Sequence, residues 1–351
     1  MATESWTENY YDVDYDEPVK ACQFEELPHA RWILPTLYSV FFLVGLAGNV
    51  VVIVVVSRRS SRRADTFILN LAVSDLLFVM TLPLWASSLA QGGYWPFGAA
   101  LCRASGFIIA VTRCASSFLM AIMSVDRYFA VIKGVKVHPL RVRSCSLVVC
   151  CSIWALSVLV GCPSLVSRHL SNTTACVDSD SPISLGFKMA VILLTFVLPF
   201  AIVLYCYSRM TKYLWNYFGS HVSASMTAGK PRRGHSWLRI VSCVVGAYCF
   251  SWLPFNALNA LWVMSQLGAD MPCSVRVTIY QALNAAAALA FANSCTNPLI
   301  YALLDAGFRR RAQSALPGLC LACRSILPMP GWSVPTNSAT IESTSSYTDN
   351  R

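Results

Sequence analysis

The amino-acid sequence predicts an all-α membrane protein, a seven-transmembrane helix bundle with a short amphipathic eighth helix. Three observations carry this. Of 351 residues, 56% are hydrophobic and only 13% charged, with a mean hydropathy of +0.53; a soluble domain is about 45–50% apolar and about 25% charged. Seven apolar runs are long enough to cross a bilayer. The Lys and Arg residues gather in alternate connections between those runs. Together these disfavour a cytosolic enzyme, a disordered chain and a coiled coil.

The chain opens on an acidic tail, residues 1–31. Residues 1–28 hold eight acids against one base, Lys20, a net −7, while the remainder carries +17 of a total of +10. That basic balance does not indicate nucleic acid, because the positive charge lies in short clusters between apolar runs and not on one soluble face. Fifteen cysteines are uninformative as a count; their side of the membrane decides which can pair.

The spans lie near 32–56, 66–90, 101–132, 145–167, 183–208, 237–265 and 275–304. About 20 residues at 1.5 Å each cover roughly 30 Å of hydrocarbon. Backbone in lipid must satisfy its own hydrogen bonds, so each span is a helix. Pro83, Pro163, Pro199, Pro254 and Pro298 sit inside five of them and read as kinks. The first span reads as a retained signal anchor, since an acidic N-terminus before a long apolar run is not a cleavable signal.

Orientation follows the bases. Arg58, Arg59, Arg62 and Arg63 fill the first connection; Lys133, Lys136, Arg141 and Arg143 the third; Arg209, Lys212, Lys230, Arg232 and Arg233 the fifth; and Arg309, Arg310 and Arg311 follow span seven. These segments are expected in the cytoplasm, with the acidic tail outside. The sequon Asn172-Thr173-Thr174 then falls on the external side, as glycosylation of Asn172 requires. After the seven-span domain, 32–304, residues 305–316 read as an amphipathic helix and 317–351 as a disordered cytoplasmic tail.

Polar side chains are costly in a span and turn to the bundle interior. Asn49 in span one, Asp75 in two, Ser116 in three, and Asn293, Ser294 and Asn297 in seven form such a set. One carboxylate among neutral oxygens suits a small hard cation such as sodium; a hydrogen-bonded core cluster is the other reading.

Motifs in successive spans carry a family resemblance. Gly48-Asn49, Leu71-Ala72-Val73-Ser74-Asp75, Asp126-Arg127-Tyr128, Trp154, Pro199, Ser251-Trp252-Leu253-Pro254 and Asn297-Pro298-Leu299-Ile300-Tyr301 stand in order, each in the matching span. The chain resembles the rhodopsin-like (class A) G-protein-coupled receptors over roughly residues 30–315. The resemblance implies a plasma-membrane receptor that couples to a heterotrimeric G protein and does no chemistry on its ligand. It implies that Arg127 pairs with Asp126 at rest and meets the G protein when span six swings outward. Trp252, beside the Pro254 kink, would link ligand to kink; Asn297, Pro298 and Tyr301 would rearrange in span seven. Asp75, Ser116, Asn293 and Asn297 would hold an allosteric sodium ion, the only cofactor expected. For Arg127 a positive-inside anchor, and for Trp252 simple core packing, are the plainer alternatives.

The same resemblance implies a Cys102–Cys176 disulfide. A second, Cys22–Cys273, would tie the tail to the last external loop, as in chemokine receptors and some other peptide receptors. The other eleven cysteines are expected as thiols. Of these, Cys320 and Cys323 after the amphipathic stretch are palmitoylation candidates that would meet membrane lipid, or ordinary free thiols.

Ligand class is narrowed residue by residue. Ile109 stands where amine receptors keep a carboxylate, which argues against an amine. Thr81-Leu82-Pro83 and Trp95-Pro96-Phe97-Gly98 resemble chemokine and vasoactive-peptide receptors. Tyr10, Tyr11 and Tyr15 lie among acids and suit tyrosine sulfation; such a tail would draw in a basic protein, or simply solubilise the chain. Chemokine receptors commonly keep a Glu in span seven where this chain has Ala287. In compensation Arg113 lies one turn inward from Ile109, and Lys188 stands near the outer end of span five, with no acid in the outer halves of the spans. The expected ligand set is Ile109, Arg113, Lys188, Trp85, Trp252, Phe255 and Asn256, with Arg113 taking an anionic end such as a peptide C-terminal carboxylate. The alternative for Arg113 is a structural bond to nearby carbonyls or hydroxyls. Thr112-Arg113-Cys114-Ala115, Pro163-Ser164-Leu165-Val166 and Phe291-Ala292-Asn293-Ser294-Cys295 resemble most two orphan receptors related to the chemokine receptors.

The expected function is a receptor for an extracellular peptide or small basic protein, signalling through G protein, by analogy the inhibitory class. Ser343, Thr344, Ser345, Ser346 and Thr348 would serve receptor kinases and then arrestin; an unmodified polar tail is the alternative. A receptor for a small anionic metabolite or lipid, and a scavenging receptor without G-protein signalling, are the rival functions. A transporter is disfavoured, because neither an internal repeat nor broken midplane helices are evident.

Overall fold

The computed structural model describes residues 29–58, 65–132, 143–171, 175–221 and 234–315. Tyr10, Tyr11, Tyr15, Cys22, Asn172, Cys320, Cys323 and the Ser/Thr cluster at 343–348 lie outside the described residues.

Seven membrane-length helical spans follow one another. Span one is α1, Ala30–Arg58. Span two is α2, Asp65–Val79, continued by α3, Leu82–Ala90. Span three is α4, Gly98–Ile132, and span four is α5, Arg143–Gly161, extended by the short α6, Ser164–Ser167. Span five joins α7, Pro182–Ile192, to α8, Leu198–His221. Span six is α9, Gly234–Gln266, span seven is α10, Cys273–Leu304, and α11, Ala306–Ala315, lies beyond it. Each expected apolar run therefore forms a helical span, and the amphipathic stretch forms its own helix. Spans one to five and span seven are long and apolar enough to cross a membrane, and the 33-residue α9 completes the seven.

The prolines act in different ways. In span two the helix stops at Val79, and Pro83 enters the first turn of α3, where its missing N–H is no loss. Thr81 Oγ1 donates 2.7 Å to the Phe78 carbonyl at this break. In span five a widened π-helical turn, Leu193–Val197, stands just before Pro199, where the sequence predicts a kink. Pro254 and Pro298 lie inside continuous helices.

The bundle is drawn together by polar bonds between spans and by small residues where spans touch. Asn49 Nδ2 donates to the Gly45 carbonyl at 2.8 Å and to the Ser294 carbonyl at 2.9 Å, joining spans one and seven. Trp154 Nε1 donates 3.0 Å to Asn70 Oδ1, joining four and two. Ser74 Oγ donates 2.9 Å to the Thr112 carbonyl, joining two and three. The main core runs through Val52, Leu71, Leu119, Met120, Val244 and Tyr301. Large apolar side chains such as Leu43, Val148, Leu159, Leu204 and Phe250 face outward, the surface that hydrocarbon covers in a membrane protein.

Two devices finish the ends. A hairpin after span four pairs β1, Arg168–Leu170, with β2, Cys176–Asp178, in antiparallel register. The Cys102–Cys176 disulfide fastens it to the start of α4. At the opposite end, Phe308 of α11 is buried against Tyr301. Arg309 Nη1 donates to the terminal carbonyls of α10, Ala302 at 3.1 Å and Leu303 at 2.7 Å, and Arg58 Nη1 donates 2.8 Å to the Ala315 carbonyl.

Candidate functional site

Below the hairpin, α4 carries Arg113 into the bundle. Its guanidinium lies over the rings of Trp252 and Phe255, 5.3 and 5.6 Å from their centroids, and donates to Asn256 Oδ1. Asn256 Nδ2 in turn donates 2.8 Å to the Trp252 carbonyl. The sequence places Trp252, Phe255 and Asn256 within one turn of α9 around Pro254, so Arg113 addresses the proline-containing segment as a unit. Cation–π stacking and a neutral amide offset part of the charge's desolvation. Ile109, one turn toward the hairpin, packs on Phe78, Val79 and Leu82 at the break in span two.

Lys188 sits differently from its expected partnership with Arg113. Its Nζ approaches Asp178 Oδ2 at 3.9 Å and the Ser179 carbonyl at 3.4 Å. Asp178 also pairs with Arg168, Nε to Oδ1 at 3.1 Å, directly across the hairpin. Arg168 then covers the Trp85 ring at 5.1 Å, and Trp85 packs on the buried Trp95 at 5.0 Å. Arg168 and Asp178 were not among the expected site residues. Both flank an expected disulfide half or span end, and their opposite charges ten residues apart were the available signal.

At the other end of α4, Arg127 Nη2 lies 2.7 Å from Asp126 Oδ2, and Asp126 is buried. Tyr128 packs against Phe129 and, at 6.1 Å, Tyr205 of span five. Tyr301 and Asn297 are buried in span seven, one turn apart, with Pro298 between them.

The interior polar set forms separate hydrogen-bonded pairs between spans. Asn297 Nδ2 donates 2.8 Å to Asp75 Oδ2, and Ser116 Oγ donates 3.0 Å to Ser74 Oγ. Asn49 Oδ1, Asn293 Oδ1 and Asn297 Oδ1 are buried with no hydrogen-bond partner among the described residues. A carboxylate bonded to Asn297, with three amide oxygens of the same set buried and unsatisfied among the described residues, is a donor set that fits a small hard cation.

Cys102 and Cys176 are joined, as the resemblance implies. Cys273 is also disulfide-bonded; Cys22, the partner expected for it, is outside the described residues.

Comparison with known proteins decides the class. The family model described as 7 transmembrane receptor (rhodopsin family) matches residues 48–301. The chain belongs to the rhodopsin family. It is similar to Probable G-protein coupled receptor 25 of Mus musculus, 40% identical over 335 residues, 91% of this chain and 89% of the relative. It is 35% identical over 327 residues to Apelin receptor A of Danio rerio, 88% of each. To G-protein coupled receptor 15 of Mus musculus it is 33% identical over 308 residues, 86% of this chain and 84% of that one. Receptors 25 and 15 are the two orphans that the runs around Arg113, Pro163 and Asn293 resemble. The seven-helix bundle is thus a rhodopsin-family receptor, a multi-pass membrane protein and not an enzyme.

Proposed function

We propose that this rhodopsin-family receptor stands in the plasma membrane with its acidic tail outside and binds an extracellular peptide or small basic protein. The ligand's anionic end, such as a C-terminal carboxylate, docks on Arg113, and its basic body lies on the tail. What carries the reading is Arg113: an arginine on span three whose polar partner is a neutral amide, Asn256 Oδ1. A carboxylate offered to that guanidinium forms a charge-assisted, bidentate pair, which an amide cannot match. The likeness to Apelin receptor A supports a peptide. Trp252 and Phe255, already stacked on Arg113, are the groups that feel the exchange, with Trp85 and Ile109 nearer the hairpin. The response is a population shift, so the ligand must prefer one bundle state.

At the inner end Asp126, Arg127 and Tyr128 engage a heterotrimeric G protein, of the inhibitory class by analogy, with arrestin following phosphorylation of the tail. Asp75, Ser116, Asn293 and Asn297 would hold a sodium ion; bound there, it supplies a positive charge that offsets the buried carboxylate. Palmitate on Cys320 and Cys323 would hold the end of α11 at the membrane.

The experiment is a secreted-protein library screened for arrestin recruitment on transfected cells, with Arg113→Ala as the control. A ligand that keeps its potency when C-terminally amidated, or on Arg113→Ala, removes the anion reading. A second reading, a small anionic metabolite or lipid, draws on the same arginine without the tail. Deleting residues 1–20 separates them: affinity falls for a protein ligand and holds for a small one.

A further inference from the structure

Spans three and six share two polar contacts that bracket Trp252. Asn256, one turn above it on α9, accepts from Arg113. Tyr248, one turn below, shares a hydrogen bond between its hydroxyl and Ser117 Oγ. Ser117 Oγ also lies 2.9 Å from the Arg113 carbonyl and donates to it. That donation uses the single serine proton, so the tyrosine O–H is the donor to Ser117 Oγ. Both side chains are buried, Ser117 to 1% and Tyr248 to 3% exposure. Tyr248 stands in an aromatic column, 6.4 Å from Phe196 in the π-helical turn and 6.2 Å from Trp252. A phenylalanine would fill that column equally; the hydroxyl adds only the bond.

The geometry points to Ser117 and Tyr248 as a polar latch that holds span six against span three and sets the resting activity of the receptor. Its placement relative to Pro254 gives it this role. Asn256 lies on the hairpin side of the proline and Tyr248 on the Asp126 side. When the lower arm of α9 swings outward about the kink, Tyr248 must leave Ser117, whereas Asn256 need not leave Arg113. Opening leaves the Tyr248 hydroxyl without its acceptor in an apolar core, while Ser117 keeps its bond to the Arg113 carbonyl, and an unpaired buried polar group is unfavourable. The closed state is favoured by that difference. Ser117 and Tyr248 are positioning residues, acting through the helix that carries Trp252.

The test needs no ligand, so the anion reading can fail without affecting it. It rests on the reading that the chain signals through a G protein. Basal G-protein dissociation is read in cells with sensors for each Gα class, at matched surface expression. Tyr248→Phe and Ser117→Ala should each raise basal signal, with a shift of about fivefold in the open-to-closed ratio for one neutral hydrogen bond. The double variant should rise no further than either single one. Ser117→Thr, which keeps the hydroxyl, should stay at the wild-type level. Ser117→Ala carries the test if Tyr248→Phe does not reach the surface. A second readout is independent of any G protein: the spin-label distance between Cys243 and Arg58→Cys in purified receptor with its other reactive thiols replaced. It should broaden to longer values in Ser117→Ala. An unchanged distance overturns the latch, as does Ser117→Thr behaving like Ser117→Ala. A lengthened distance with silent sensors keeps the latch and refutes the signalling reading.

Discussion

Arg168 and Asp178 stand directly opposite one another in the hairpin and close an ion pair at 3.1 Å, while Lys188 reaches the same carboxylate at 3.9 Å from span five. One acid thus serves two cations and ties the hairpin to the mouth of the bundle. The side chains are partly exposed, 21% for Arg168 and 31% for Asp178, so solvent and salt screen the pair. A double-mutant cycle of Arg168→Ala and Asp178→Ala, read on the apparent thermal midpoint of detergent-solubilised receptor, should show a coupling of about 0.5 kcal/mol. The coupling should shrink in high salt. Strictly additive effects would mean that the pair holds nothing.

Gly106 sets where Arg168 can lie. A Cβ at 106 would stand 2.2 Å from Arg168 Cδ and 2.5 Å from Nε, far inside van der Waals contact. Gly106→Ala should therefore push the guanidinium off the Trp85 ring and lower the thermal midpoint. In an Arg168→Ala background the same substitution should be harmless, or stabilising through the higher helix propensity of alanine. An equal loss in both backgrounds would place the effect of Gly106 elsewhere.

The parts of this receptor legible in its sequence are those that one segment dictates by itself. Apolar length alone places all seven spans, because lipid leaves the backbone no alternative to helix. Pro83 marks the break in span two for a local reason, its missing N–H. Contacts that depend on how one helix is rotated against another were not legible. Tyr248 and Ser117 read as an aromatic and a small residue in separate apolar runs, and only packing brings their hydroxyls together. Gly106 looks like any small residue of span three until Arg168 is laid across it. Lys188 reads as a free charge because its partner, Asp178, sits in a short polar loop whose register no hydrophobic pattern determines. Arg113 was legible as an anomaly, a charge in a span; its stacking between Trp252 and Phe255 was not.

Gly48 is held small by Pro298. A Cβ at 48 would meet Pro298 Cβ at 2.8 Å and Cγ at 3.0 Å, and a proline ring inside a helix cannot step aside. Gly48→Ala should wedge span one from span seven, an overpacking cost of about 1–3 kcal/mol. Surface expression and thermal midpoint should both fall. Gly246, exposed in α9 with open space around its position, supplies the contrast: Gly246→Ala should leave both unchanged or slightly raised. If the two substitutions behave alike, close packing at Gly48 is not what the residue provides.

Asp75 accepts from Asn297 at 2.8 Å, and the amide oxygens of Asn49, Asn293 and Asn297 are buried without partners among the described residues. A cation among them would satisfy those oxygens and the carboxylate together, and a ligand that binds the folded state alone raises its stability by mass action. The thermal midpoint of purified receptor should therefore be higher in sodium chloride than in choline chloride of the same ionic strength. Asp75→Asn removes the charge but keeps the shape, and should abolish the sodium-specific rise while leaving the general salt response. Should wild-type receptor respond equally to both salts, these oxygens belong to a hydrogen-bonded core cluster and not to an ion site.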